Sequence, residues 1–110
     1  LSLVGSEMCI RDRVYQKNCV ACHQMNGEGL PPIFPALAGS DIVMFDKNRN
    51  VEILMEGVQG AAMQSFANQL SEVDMAAVIT YTRQAWGNAE NGDGAYVVPS
   101  DIVEYKKPKI

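Results

Sequence analysis

Histidine is nearly missing from this sequence, with one residue, His23, in 110. Cysteine is scarce too: three residues, Cys9, Cys19 and Cys22, an odd number that would leave one thiol over from a disulfide framework. No apolar run approaches the roughly 20 residues that a membrane helix requires. The opening segment Leu1 to Gly5 is too short for a signal peptide and lacks a basic start and a small-residue cleavage site. Any export signal is therefore expected outside this sequence. Basic residues are scattered except for Lys106, Lys107 and Lys109, and the formal net charge is −4. Without a basic stripe to follow a phosphate backbone, nucleic-acid binding is excluded. Internal repeats and low-complexity tracts are also missing.

What remains is ordinary for a folded domain: 47% of residues are hydrophobic and 20% charged. A chain of this length supports one modest core, burying about two-thirds of the surface exposed when unfolded. The pattern predicts a first helix over 7–22, then a loop from about Gln24 to Gly39 in which Gly27, Gly29, Pro31, Pro32 and Pro35 preclude regular structure. Between Ser40 and Gly57 the apolar positions predict two short helices, the second stopped by Gly57. A loop over 58–70 follows. Ser71 can cap the next helix, with Asp74 three residues on completing a capping-box-like pair. That helix is expected to run to Gly87, with Val73, Ala77, Val78, Tyr81, Ala85 and Trp86 as its apolar face. Beyond it, residues 88–94 read as turns and Ala95 to Val98 as a short strand-like run in a loosely held tail.

The chemistry is concentrated in Cys19-Val20-Ala21-Cys22-His23. Two thiols three residues apart share one face of a helical turn. Each can form a thioether with one porphyrin vinyl group, while the adjacent imidazole faces the iron; C-x-x-C-H is the pattern of covalent c-type haem attachment. A dithiol redox site would want a βαβ context that this sequence lacks. Zinc would want a fourth ligand, with only Cys9 or carboxylates to supply it. Free thiols or a structural disulfide are the plain alternative.

If His23 supplies one axial nitrogen, the opposite position must come from elsewhere in the chain. Six methionines are available. Met55 and Met75 fall on predicted helices, where core packing is their usual work; Met8, Met25 and Met44 stay open. Met63 is favoured because Gly60-Ala61-Ala62-Met63-Gln64-Ser65-Phe66 is a small-residue loop able to approach a porphyrin edge. Its alternative is a loop methionine covering the core. His/Met ligation raises the reduction potential and fills both axial positions, favouring electron transfer over oxygen chemistry. A backbone carbonyl in Pro35-Ala36-Leu37 could hold the second imidazole nitrogen, although those residues alone read equally as turn chemistry.

Over residues 14–87 the sequence resembles the class I cytochromes c, and within them the haem-c domain at the C-terminus of subunit II of some bacterial cytochrome c oxidases. The resemblance rests on Val14-Tyr15, Cys19 to Gln24, Asn26-Gly27-Glu28-Gly29, Pro35 to Ser40, Gly60 to Phe66, Gln69-Leu70-Ser71, Ala76 to Tyr81 and Trp86-Gly87-Asn88. It implies an all-α class I cytochrome c fold around one covalent haem c. It also implies Met63 as axial ligand, the Pro35 carbonyl as acceptor from His23, and Tyr15 meeting Val78 and Tyr81 where the first and last helices cross. The site set is thus Cys19, Cys22, His23, Pro35 and Met63, with His23 and Met63 on the metal.

The family places a small residue eight positions before the first haem cysteine, where this chain has Arg11. Leu1 to Arg13, Cys9 included, matches nothing in the family, and Glu7 to Arg13 resembles translated adapter sequence. Residues 1–13 are therefore expected to be a non-native or disordered leader, 14–88 the cytochrome c domain, and 89–110 the tail.

The subunit II resemblance implies partners: an electron-donor cytochrome c, a dinuclear copper domain and a haem-copper subunit, on the periplasmic side of the inner membrane. One histidine cannot furnish the two that the copper centre needs, so that centre would lie upstream. The alternatives are a free periplasmic carrier and, with an open iron position, a haem peroxidase or gas sensor. The fragment itself is expected to transfer electrons, not to catalyse a reaction.

Overall fold

The computed structural model describes residues 13–30, 34–58, 60–61 and 63–106. The chain enters in α1 (residues 13–18), breaks at a turn on Cys19 and resumes in α2 (Val20–His23). An irregular stretch then leads to α3 (Asp41–Phe45) and α4 (Lys47–Glu56). After the loop over 57–71 come α5 (Glu72–Gln84), α6 (Asn88–Asn91) and α7 (Pro99–Lys106). Among the described residues there is no strand, only an isolated antiparallel bridge between Leu30 and Phe34. The all-α class I cytochrome c architecture expected from the sequence is the one found.

Local chemistry accounts for the element ends. Ser40 Oγ accepts from Val43 N at 3.4 Å and Asp46 Oδ1 from Arg49 N at 3.0 Å, opening α3 and α4. Gly57, at φ 73°, closes α4 with its N–H on Ile53 O. Ser71 Oγ accepts from Asp74 N at 3.1 Å, opening α5 as expected.

α5 is the central element, packing against α3, α4, α6 and α7. It buries Met75, Ala76, Val78 and Ile79, and Tyr15 from α1 and Leu54 from α4 complete the core around them. Each large side chain so buried stabilises the fold by about 1.5–3 kcal/mol.

Several expectations need correction. α5 ends at Gln84, not Gly87, because Ala85 takes an extended conformation. Val73 is 59% exposed, so it is not on the packed face, which Met75 and Ile79 occupy instead. The first helix is interrupted at Cys19, not continuous to residue 22.

The largest correction concerns the tail. Its described residues, 89–106, pack against the domain, and the core extends beyond residue 88, with Val97 and Ile102 buried. Thr80 Oγ1 donates to Val97 O at 2.8 Å and accepts from Val97 N at 2.9 Å. Gln84 Nε2 donates to Gly94 O at 2.8 Å, and Arg83 Nε to Ala95 O at 2.9 Å. Where a strand-like run was expected, residues 95–98 form an extended strap bonded to α5 side chains, and α7 follows with Ile102 fully buried. Residues 1–12 lie outside the described residues, and with them the expectations about Arg11, Cys9 and most of the leader; Arg13 is helical. The same holds for Met8, Pro31, Pro32, Ala62, Lys107 and Lys109.

Candidate haem site

α2 is a single turn, and its hydrogen bonds fix the motif's geometry. Cys19 N donates to Tyr15 O at 2.9 Å, and His23 N donates to Cys19 O at 2.9 Å. Both thiols are free and partly buried. Burial, helped by the charge of neighbouring Cys22, pushes the Cys19 thiol up to about 11. A thiol so placed stays protonated at neutral pH, unlike the lowered thiols of dithiol redox motifs. Among the described residues, no three His, Cys, Asp or Glu side chains converge as a metal ion would need, which gives the zinc alternative no ligand set there.

His23 Nδ1 lies 3.1 Å from Pro35 O. A carbonyl can only accept, so Nδ1 carries the proton and Nε2 keeps its lone pair for a metal. Burial lowers the His23 pKa and outweighs the opposing Pro35 bond, so the neutral imidazole is favoured, and that bond sets its tautomer. The Pro35 carbonyl is held in its turn. Leu37 N donates to Gly27 O at 2.7 Å, and Asn88, only 1% exposed, donates from Nδ2 to Leu37 O at 3.1 Å. Its Oδ1 accepts from Gly39 N at 2.8 Å.

Met63 is partly buried, in a loop pinned to α4: Val58 N donates to Met63 O at 3.0 Å, and Phe66 N to Leu54 O at 2.9 Å. Gly57 lets this loop close, since a Cβ there would sit 2.8 Å from Met63 O.

A cavity of about 340 Å³ is lined by Cys19, Cys22, His23, Pro35 and Met63 together, the whole sequence-predicted site. Its other walls come from α3, α4 and α5, among them Val43, Leu54, Ile79 and Thr82. Its size falls within the range of cofactor pockets. Two thiols, a neutral imidazole, a thioether and an otherwise largely apolar lining form a donor set that suits a covalently tethered iron porphyrin. Met25, by contrast, is 52% exposed and lines a different surface depression, and Met44 and Met75 are buried without lining the cavity.

Sequence reasoning missed Asn88 as a structural residue and Asn50, whose Nδ2 donates to Ile42 O at 3.1 Å at the cavity wall. Neither shows in periodicity; Asn88 was visible only as part of the Trp86-Gly87-Asn88 ending.

The family described as cytochrome c oxidase, cbb3-type, subunit III matches residues 11–81. Cytochrome c-552 of Thermus thermophilus is 37% identical over 90 residues, covering 69% of this chain and 68% of that protein. The cytochrome c subunit of a quinone alcohol dehydrogenase from Gluconobacter oxydans is 35% identical over 99 residues, or 81% of this chain. This chain spans about a fifth of that subunit, 20% of its length. Cytochrome c-554(548) of Halomonas halodenitrificans is 34% identical over 65 residues, covering 57% of this chain and 78% of that protein.

Proposed function

The chain belongs to the family of cytochrome c domains described under cbb3-type oxidase subunit III, whose members carry covalent haem c and transfer electrons, and from that premise we propose how its residues do so. Cys19 and Cys22 would tether the haem as thioethers, and His23 Nε2 and the Met63 sulfur would hold its iron. When bound, the haem provides a one-electron iron couple. The Pro35 carbonyl keeps the His23 tautomer fixed in both oxidation states. Backbone bonds from Val58 N to Met63 O and from Phe66 N to Leu54 O hold the Met63 segment against α4, and the apolar walls exclude water, so little has to move when charge arrives or leaves. The observation that carries this reading is that all five residues line one cavity although the chain separates them by up to 44 positions, from Cys19 to Met63.

The test is carbon monoxide. Reduced holoprotein should bind it slowly or not at all, because Met63 fills the open position. Met63→Ala should keep its covalent haem, lose potential and bind the gas rapidly. Rapid binding by the unsubstituted domain means an open sixth position, which would return the peroxidase or sensor reading.

For the parent assembly, the Trp86-Gly87-Asn88 ending supports a terminal oxidase subunit II. In that setting electrons arrive from a donor cytochrome c and leave for a dinuclear copper domain and the haem-copper subunit, at the periplasmic face of the inner membrane. A second reading is favoured by a relative's name, a cytochrome c subunit of a dehydrogenase, and beside it stands a free periplasmic carrier. The native gene separates them. Copper-ligand and membrane-anchor codons upstream support the oxidase, a further haem-binding domain supports the dehydrogenase, and a signal peptide just before Val14 supports the carrier. Among the described residues no helix is long and apolar enough to cross a membrane. The same gene sequence tests whether residues 1–13 are native.

A further inference from the structure

Only two described residues other than glycine have positive φ: Gln24 at 68° and Trp86 at 55°. Gln24, with ψ 162°, lies in a region almost reserved for glycine. Such a conformation persists only where its surroundings impose it. Here the surroundings are a pair of aromatic donors. Tyr15 Oη donates to Gln24 O at 2.7 Å, and Trp86 Nε1 donates to Met25 O at 2.9 Å. The next two carbonyls after that of His23 are thus each taken by an aromatic ring, one from α1 nine residues back and one from Trp86, 61 residues on.

The rings brace one another. Tyr15 and Trp86 meet edge-on at 5.3 Å between centroids, and Tyr81 lies 5.1 Å from Tyr15 and 5.7 Å from Trp86. The Trp86 ring also rests on the loop itself, for a Cβ on Gly27 would sit 2.6 Å from it. Gly29 N takes the His23 carbonyl at 3.0 Å. The imidazole is therefore held at its ring by Pro35, while the aromatic cluster holds the two residues that follow it, Gln24 and Met25.

We propose that Tyr15 and Trp86 are positioning residues for the axial histidine: their hydrogen bonds impose the strained turn at Gln24 and so set the angle at which the His23 imidazole meets the haem plane. The proposal rests on His23 being the axial ligand. Plain core aromatics would contribute packing without this second effect, which makes the two roles separable.

His23 is the chain's only histidine, so ¹⁵N-histidine labelling reports it alone. The experiment is paramagnetic NMR on oxidised holoprotein, comparing the unsubstituted domain with Tyr15→Phe, Trp86→Phe and Thr80→Val. Thr80→Val is the control: it removes two buried bonds to the tail strap and does not touch the 24–29 loop. Tyr15→Phe deletes a single atom and keeps its ring, so it should still fold.

The iron-shifted imidazole resonances should move in Tyr15→Phe and Trp86→Phe by more than in Thr80→Val, even where all three lose similar thermal stability. Shifts no larger than the control's overturn the proposal and leave the ligand assignment standing. If the unsubstituted domain shows no iron-shifted imidazole resonance, the ligand assignment falls and takes the proposal with it.

Discussion

At the level of single residues the site depends on where a side chain cannot be. Gly29 has φ 62°, and a Cβ there would sit 2.3 Å from Phe34 O and 2.7 Å from Pro35 O, the carbonyl that holds His23. Gly29→Ala should therefore cost more than about 1 kcal/mol of stability, measured by denaturant unfolding of the holoprotein, and should disturb the His23 tautomer lock. Unchanged stability with an unchanged visible spectrum would contradict this placement. The cysteine pair and the histidine were legible in the sequence because thioether attachment fixes residue types at fixed spacing. Met63 stood out in the sequence only as the best of six methionines, since nothing local distinguishes a ligand from a packing residue; the fold adds that it lines the cavity with His23, where Met44 and Met75 do not. The work of Asn88 was hidden, since its partners Leu37 and Gly39 stand about fifty residues earlier.

At the level of elements, caps read well from sequence and long-range ties did not. Ser71 and Gly57 act locally, so their roles survive without tertiary knowledge. Arg83 looks like one more polar residue on a helix, yet it is 1% exposed, paired with Asp93 and bonded to Val43 O and Ala95 O. That buried clamp, with Thr80 and Gln84 beside it, is why α7 docks where a loose tail was expected. Ile102→Ala should accordingly cost about 2–5 kcal/mol, as for other fully buried aliphatic residues, read from denaturant midpoints; a loss under 0.5 kcal/mol, the scale of a surface change, would mean the tail is dispensable.

The clamp also predicts a pH dependence. The Ala95 amide, followed by Arg83, holds the Asp93 carboxyl below the usual aspartate range. A depressed folded pKa contributes stability that is present above the unfolded value, about 3.9, and is lost as pH falls through the folded one. Asp93→Asn should therefore lower the unfolding midpoint at pH 6, and the gap from the unsubstituted protein should narrow below about pH 4. A gap that stays constant from pH 6 to pH 3 would argue that Asp93 is not bound as a carboxylate.

At the level of the whole molecule, the fold is a core organised by α5, whose Val78, Ile79 and Thr82 also line the candidate site. Surface ion pairs add little: Lys47 with Asp101 at 3.5 Å and Lys106 with Glu72 at 3.1 Å tie α7 to α4 and α5, but both are screened by solvent. The fold class was legible because helical periodicity and one specific motif agreed, while the parent assembly was not, because the same domain is similar both to a dehydrogenase cytochrome c subunit and to cytochrome c-552. The central claim is that one haem is bound through thioethers at Cys19 and Cys22. Its most direct measurement is the pyridine haemochrome spectrum and intact mass of protein matured by an export and haem-attachment system, with Cys19→Ala and Cys22→Ala in parallel. The account predicts a bis-thioether spectrum, one haem of added mass per chain, pigment that stays with the protein in acidified organic solvent, and loss of one thioether in each variant. A colourless protein, or pigment that partitions into the solvent, would contradict it.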